Sequence, residues 1–398
     1  MFNKVLILSA SAGAGHVRAA QALERAFAET GLAQDVQHID TLQYTTKAFR
    51  TIYAKVYFDM VKSVPDLVGW LYDQTDKPWQ NERPRHVFEK LNTRRFVSRL
   101  EQYQPDITVC THFLPASLIS WLKYQGRLTA RQAIVLTDFD AHALWLCHHY
   151  EHYFVALEET KVYLSTQGIR VDAIHVSGIP IDPVFLQPKD QRAMRAKYHL
   201  RQDVPTLLIS AGGVGVGPME ALLHALSELQ HPAQILALCG RNADLLTRAR
   251  RVAAALPPHH HVGINVVPFT TAVDEYMAAA DIVLGKPGGL TTAEALARGL
   301  AFVIVNPIPG QEEHNAAHLL EEGVALRCHS LPVLAYKMDR LLDDPVRFAA
   351  MQERARRMAK PHAAFDIVQR LVGMQDMPLA AVERHTSMGL PQRGAQYL

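Results

Sequence analysis

Short, uninterrupted apolar runs alternate along this chain with longer stretches in which apolar residues recur every three or four positions. In the first half the runs predict strands at 4–9, 35–40, 106–110, 132–137, 152–157 and 172–177, with helical patterns such as 16–29 and 112–125 between them. In the second half they predict strands at 205–210, 233–239, 263–267, 281–284 and 301–305, with helices over 217–229, 242–255, 290–298 and 312–322. Strand–helix alternation of this kind builds parallel sheets covered by helices on both faces. The expected fold class is therefore α/β, with two Rossmann-like, doubly wound domains facing a central cleft. Ligands of such sheets bind beyond the carboxyl ends of the strands. A charged stretch at 183–204, bordered by Pro180, Pro183, Pro188 and Pro205, reads as the linker between a first domain, 1–182, and a second, 205–373. Residues 374–398 are rich in Gly, Pro, Gln and other polar types and read as a loose tail. The alternation breaks only between Thr45 and Pro105, a long helical segment of mixed basic and aromatic character.

Composition narrows the class. A chain of 398 residues exceeds one ordinary core, and 48% apolar with 20% charged residues excludes a disordered or fibrous protein. A net charge of +2 gives no global field that selects nucleic acid, so none is expected as a partner. The four cysteines, Cys110, Cys147, Cys239 and Cys328, are scattered without ligand spacing and fit reduced, buried thiols in the cytoplasm. The run Val5–Leu8 is too short for a signal-peptide core, and no run approaches the ~18 apolar residues of a membrane span. Membrane contact is expected to be peripheral.

The candidate chemistry lies in five turns. Ser9–His16 follows the first predicted strand and opens a helix; Gly13 and Gly15 let the turn approach a ligand. Arg18 stands where a dinucleotide fingerprint needs its third glycine, so no NAD site is implied. His16, at the helix start, is either a general base kept neutral by the helix dipole or a solvent-exposed capping histidine. Thr137-Asp138-Phe139-Asp140, with His142 and Trp145, ends another strand; Asp138 and His142 are expected at the cleft and Asp140 as a cap. Ser177–Ile181 reads as a hinge turn with a backbone free to meet phosphate. Ser210–Gly217 repeats the glycine-loop pattern at the start of the second domain, where backbone N–H groups can wrap a diphosphate. The fifth turn, Gly285–Glu294, runs from strand to helix and aims bare N–H groups at a negative ligand. Its Thr291-Thr292-Ala293-Glu294 also fits a purely structural capping box. Past the next strand, Gln311 and Asn315 share a helix face, and neutral amides suit sugar hydroxyls. His148, His149 and His152 read as a surface helix, and His259–His261 as a solvated turn.

Ser9–His16, Thr137–Phe139, Gly178–Ile181, Lys286–Glu294 and Asn306–Asn315 together resemble the diacylglycerol glycosyltransferases of glycosyltransferase family 28, the monogalactosyldiacylglycerol synthases and processive glucosyltransferases, over roughly residues 3–372. The resemblance implies a GT-B fold, a C-terminal domain for a UDP-sugar and an N-terminal domain for the acceptor. It implies inverting transfer of galactose or glucose from UDP-galactose or UDP-glucose to the free hydroxyl of diacylglycerol, with no cofactor and no bound metal. His16 becomes the general base, with Asp138 beside it in catalysis. Glu294 would hold the ribose, Pro268 and Phe269 would flank uracil, and Gly213, Gly288, Gly289 and Leu290, next to Thr291, would cradle the diphosphate. Gln311 and Asn315 would face the sugar or phosphates, while Gly15, His142 and Trp145 would border the acceptor. The segment 45–105 then gains a use. Lys47, Arg50, Lys55 and Lys62 interleave with Phe49, Tyr53, Val56, Tyr57, Met60 and Val61, and Arg83, Arg85, Lys90, Arg94, Arg95 and Arg99 add charge, as suits anionic lipids on the inner face of the cell membrane. Three other readings stay open: N-acetylglucosamine transfer to another lipid-linked acceptor, a UDP-sugar 2-epimerase of the same architecture, and a binding relative without activity.

Overall fold

The structure, a computed structural model, describes residues 1–51, 65–79, 93–212, 218–257 and 259–375. Twelve strands form two six-stranded parallel sheets. The first comprises β1 (Phe2–Ser9), β2 (Ala33–Asp40), β3 (Ile107–Cys110), β4 (Arg131–Val135), β5 (His152–Val155) and β6 (Ile174–Val176). The second comprises β7 (Thr206–Ser210), β8 (Ala233–Leu238), β9 (Val262–Val267), β10 (Ile282–Gly285), β11 (Ala301–Val305) and β12 (Ala325–Cys328). The first sheet runs β2-β1-β3-β4-β5-β6 and the second β12-β11-β10-β7-β8-β9.

The reason for these strands is burial on both faces. β3, β4, β8 and β11 are enclosed almost throughout, whereas the edge strand β2 is mostly only partly covered and the edge strand β9 mixes covered and solvated positions. One face of the first sheet packs Leu6, Leu8, Phe96 and Leu100 into a core. The other face packs Phe2, Val5 and Ile7 against Phe27 of the first helix, Ala14–Thr30, and against Ile367, Val368 and Leu371 of the last, Ala363–Gly373. At roughly 1.5–3 kcal/mol per fully buried large aliphatic side chain, these contacts anchor the last helix firmly. The end of the chain therefore belongs physically to the first sheet, although it follows the second domain in sequence.

The stretch expected as a plain linker is folded. Helix Gln191–Lys197 lies within it, and its Arg195 is buried, with Nη2 2.6 Å from Asp281 Oδ2. A third core cluster spans the domains, joining Ala19, Phe139, Ile179 and Phe185 to Leu290, Leu296 and Leu319. The Ser177–Ile181 turn is structural. Gly178 has φ +90°, and a Cβ there would lie 2.6 Å from Lys360 Cβ, where the chain returns to the first domain. Its backbone faces protein rather than an open phosphate site. His148, His149 and His152 form no surface helix: the first two lie in an irregular loop, and His152 opens β5 and is buried. In the 259–261 turn, His261 Nε2 donates to the Leu229 carbonyl at 2.5 Å.

Order matters for the site. In the first sheet the direction of strand addition reverses between β1 and β3, and in the second between β7 and β10. Loops leaving the carboxyl ends of two such strands part company and leave a crevice. The first crevice is bordered by the loop ending at His16 and by Thr111, the second by Ser210–Gly212 and Lys286–Gly288.

Candidate active site

His16 occupies the first turn of helix Ala14–Thr30, above the first crevice. Its Nδ1 lies 3.0 Å from the Thr111 carbonyl oxygen and 2.8 Å from Thr137 Oγ1. A carbonyl only accepts, so Nδ1 carries the proton and Nε2 carries the lone pair. Burial pushes the imidazole down to about 4, partly opposed by the Thr111 bond, so the ring is neutral at physiological pH. His112 meets it edge-on at 4.5 Å between ring centroids, and buried Trp145 stands 6.4 Å away. A neutral, oriented imidazole with its lone pair free is the state a general base requires. The solvent-exposed cap is excluded, because His16 is half-buried and bonded to two other strand ends. Asp138 does not share this bond; its neighbour Thr137 does.

Across the cleft, β10 feeds helix Gly289–Ala297. Gly288 is the N-cap residue and makes no side-chain cap bond, so the alternative of a capping box at Thr291–Glu294 is not formed: both residues lie inside the helix. The first N–H groups of the helix are left for a ligand. A cavity of about 200 Å³ opens here, lined by Ser210, Gly212, Lys286, Gly288, Thr291 and Glu312, among others. Gly213, expected on the diphosphate, lies outside the described residues. Glu312 Oε2 accepts from Ile308 N at 2.6 Å, and burial pushes its carboxyl up, opposed by Lys286. At the ends of β8 and β9, Pro268 and Phe269 are exposed, and the Arg241 guanidinium stacks 3.9 Å from the Phe269 ring centroid.

The remaining candidates join the two walls. Asn315 is fully buried in helix Gln311–Glu321; its Nδ2 donates to Asp138 Oδ1 at 3.3 Å and to the Pro287 carbonyl at 3.0 Å. Its Oδ1 accepts from Phe139 N at 3.1 Å. The amide is thus spent between domains. Burial raises the Asp138 carboxyl to about 7, against bonds from Asn315 and Gln311 that hold it down. Asp140 takes Ala141 N at 2.8 Å and meets His314 Nδ1 at 2.6 Å; the cap expected of it is made instead by His142, whose ring accepts from Leu144 N. Gly289 allows the closest approach: a Cβ there would lie 2.1 Å from the Thr137 carbonyl oxygen. At Gly15 a Cβ would make ordinary contact, 3.9 Å from Leu290 Cβ.

His142 is fully engaged. Its Nδ1 accepts from Leu144 N at 3.0 Å, and its Nε2 donates to the Tyr72 carbonyl at 3.1 Å, tying helix Pro65–Thr75 to the loop between β4 and β5. Glu294 also turns to the interface. It is fully buried, and Arg18 of the first helix forms an ion pair with its Oε1. Of the segment 45–105, residues 52–64 and 80–92 lie outside the described residues, and with them Tyr53, Lys55, Val56, Tyr57, Met60, Val61, Lys62, Arg83, Arg85 and Lys90.

Thr111, Thr137, Arg18, Glu312 and Arg241 escaped sequence reasoning. Thr111 and Arg241 carried no signal; Thr137 stood at the head of a strand-end motif without a role, Arg18 is a charge in place of a small residue in a glycine loop, and Glu312 is a carboxylate between two expected sugar contacts.

Residues 16–181 match the monogalactosyldiacylglycerol (MGDG) synthase family, and residues 190–360 match glycosyl transferases group 1. The processive diacylglycerol beta-glucosyltransferase of Staphylococcus saprophyticus is 28% identical over 94% of this chain and 93% of its own length. That of Bacillus cereus is 28% identical over 93% of each. In fold, the chain matches Acinetobacter baumannii MurG with a TM-score of 0.60 at 17% identity, over 94% of this chain and 99% of that one. It matches the UDP-GlcNAc 2-epimerase of Neisseria meningitidis with a TM-score of 0.60 at 14% identity, over 93% and 100%. Transferase and epimerase share this two-domain GT-B architecture, so the fold alone does not separate them. The sequence matches do: both halves match glycosyltransferase or glycolipid-synthase families, and the chain is a UDP-sugar hexosyltransferase similar to the diacylglycerol glucosyltransferases.

Proposed function

We propose that the enzyme transfers glucose from UDP-glucose to the free hydroxyl of diacylglycerol, inverting the anomeric carbon, at a membrane surface and without a bound metal. The observation that carries this is the His16 tautomer. Nδ1 is held as donor by Thr111, which leaves Nε2 to take a proton at the cleft wall facing the bare helix start at Gly288. In the reaction, Nε2 removes the proton from the acceptor hydroxyl as its oxygen bonds to C1 of the sugar. The bond from C1 to the phosphate oxygen breaks with its electron pair, and UDP departs. The N–H groups at the helix start, with Lys286, neutralise the charge that develops on the diphosphate. Glu294 receives the ribose, and Pro268 and Phe269 border the uracil. Glucose rather than galactose follows the names of the full-length relatives.

A membrane-surface acceptor is supported by helix Pro65–Thr75, where Leu67 and Trp70 are exposed. Among the described residues no helix is long and apolar enough to cross a membrane. On this reading the enzyme works peripherally, on the cytoplasmic face, with anionic lipids meeting its basic segment.

The test is incubation of the purified protein with diacylglycerol liposomes and radiolabelled UDP-glucose, UDP-galactose or UDP-N-acetylglucosamine in turn. Label should enter a glycolipid from UDP-glucose. Label from UDP-galactose alone would reassign the donor, and label from none would overturn the proposal.

A further inference from the structure

The Glu294 carboxylate is fully buried, and its two oxygens are treated differently. Oε1 pairs with Arg18, whereas Oε2 takes no hydrogen bond from any described residue. An ionised carboxylate enclosed with one unused oxygen is costly unless something fills that place. Thr291, one helical turn earlier on nearly the same face, lines the cavity, so residue 294 follows one turn behind that lining, with its second oxygen enclosed and unpaired.

Arg18 comes from the other domain. It sits two residues after His16 on the first helix, and of the two arginines a double turn apart on that helix, Arg18 reaches across to Glu294 while Arg25 pairs with Asp182 at the end of its own domain. Asp182 and Asp274 both act on Glu294 through space. Asp274 is itself neutralised by Lys189 at 3.1 Å and by Arg298 at 3.9 Å. Arg18 is therefore the cation bound directly to Glu294.

We propose that Arg18 is a positioning residue for the donor: it fixes Glu294 from across the cleft, so that the second carboxylate oxygen receives the ribose hydroxyls of a nucleoside diphosphate. This rests on the reading that Glu294 binds ribose. It makes nucleotide affinity depend on the acceptor domain, and couples donor binding to closure of the cleft. The ribose need not displace the arginine; it completes the carboxylate that the arginine holds.

The experiment measures UDP affinity by calorimetry from about pH 5.5 to about pH 8.5. The proteins are the wild type, Arg18→Gln, Arg18→Lys and Glu294→Gln, each with its melting temperature. Burial already raises Glu294 to about 7, so wild-type affinity should climb as pH rises through that value. Arg18→Gln should weaken UDP about tenfold near neutral pH, with its rise displaced to higher pH, and Arg18→Lys should recover most of the loss. If Arg18→Gln does not fold, Arg18→Lys carries the test: it keeps the charge but not the planar fork, and should weaken UDP measurably. Glu294→Gln weakened while both Arg18 variants bind with wild-type affinity and pH profile would overturn the role of Arg18 alone. Wild-type UDP binding by Glu294→Gln would overturn the ribose reading itself.

Discussion

The two crevices of this molecule are built alike and, on the function proposed above, used differently. Each lies where strand addition reverses, and each is entered by a glycine-rich loop after the first strand of its sheet. In the first domain the turn delivers a side chain: His16, locked by Thr111 and Thr137. In the second it is the turn after β10 that delivers backbone: the start of helix Gly289–Ala297, with no side-chain cap. The difference follows the chemistry. A proton must be taken by one atom at one place, which needs a side chain with a defined tautomer. A diphosphate spreads its charge over many oxygens, which suits an array of N–H groups.

The comparison breaks if His16 is dispensable. His16→Ala should lower kcat by about 10²- to 10⁴-fold, the usual worth of a general base, and leave UDP affinity unchanged. Paired turnover and calorimetric measurements check this, and full turnover in the variant would sink the division of labour. Gly289→Ala comes next. Its methyl would drive into the Thr137 carbonyl, 2.1 Å from the new Cβ, and force the two walls apart. Overpacking of this kind costs about 1–3 kcal/mol, and the lost alignment should lower kcat by roughly 10²-fold. A melting curve with a kcat measurement reads both effects. Thr137→Val keeps the shape but removes the hydroxyl on Nδ1. Because the Thr111 carbonyl still holds the proton there, kcat should fall only about tenfold, with KM for the donor unchanged. A fall as deep as that of His16→Ala would mean that Thr137, not Thr111, sets the tautomer.

Much of this frame was legible in the chain. Central strands such as β4 and β11 are buried on both faces, so their apolar runs stand out, and the glycine turns follow them directly. The last strand, β12, Ala-Leu-Arg-Cys, was missed because it has four residues and two are only partly buried. Helix Ala363–Gly373 fell to the wrong domain in the linear reading, since only packing reveals that it crosses back to Phe2 and Val5. Asn315 and His142 were read as free for ligands. Their polar character was right, but each is consumed by partners distant in sequence, Asp138 and Phe139 for one and Tyr72 for the other. Thr137 heads a motif that the sequence marks, and Thr111 is an ordinary threonine at a strand end; no local pattern marks them as the pair that orients His16.

The two domains should also part company in acid. His175, on β6, accepts from Arg370 Nη1 at 3.2 Å through Nδ1, and its Nε2 donates to His152 Nδ1 at 3.2 Å. Arginine only donates, so both rings must be neutral for this chain of bonds to exist. Burial lowers each to about 4, helped by the neighbouring charges Arg131, Arg170, Lys161 and Arg370, with Asp172 alone in opposition. Their folded values lie below the ordinary 6.5, so the folded state binds fewer protons than the unfolded one. The stability they contribute is present in full above about pH 6.5 and is lost as pH falls towards about 4. Protonation would place new cations beside Arg370, on the helix that closes the first sheet. Hydrogen exchange should therefore show Ala363–Gly373 and β6 losing protection across that window while β7 and β8 keep theirs, and His175→Gln should flatten the response. Simultaneous loss in both sheets would show that acid acts on the whole molecule rather than on this seam.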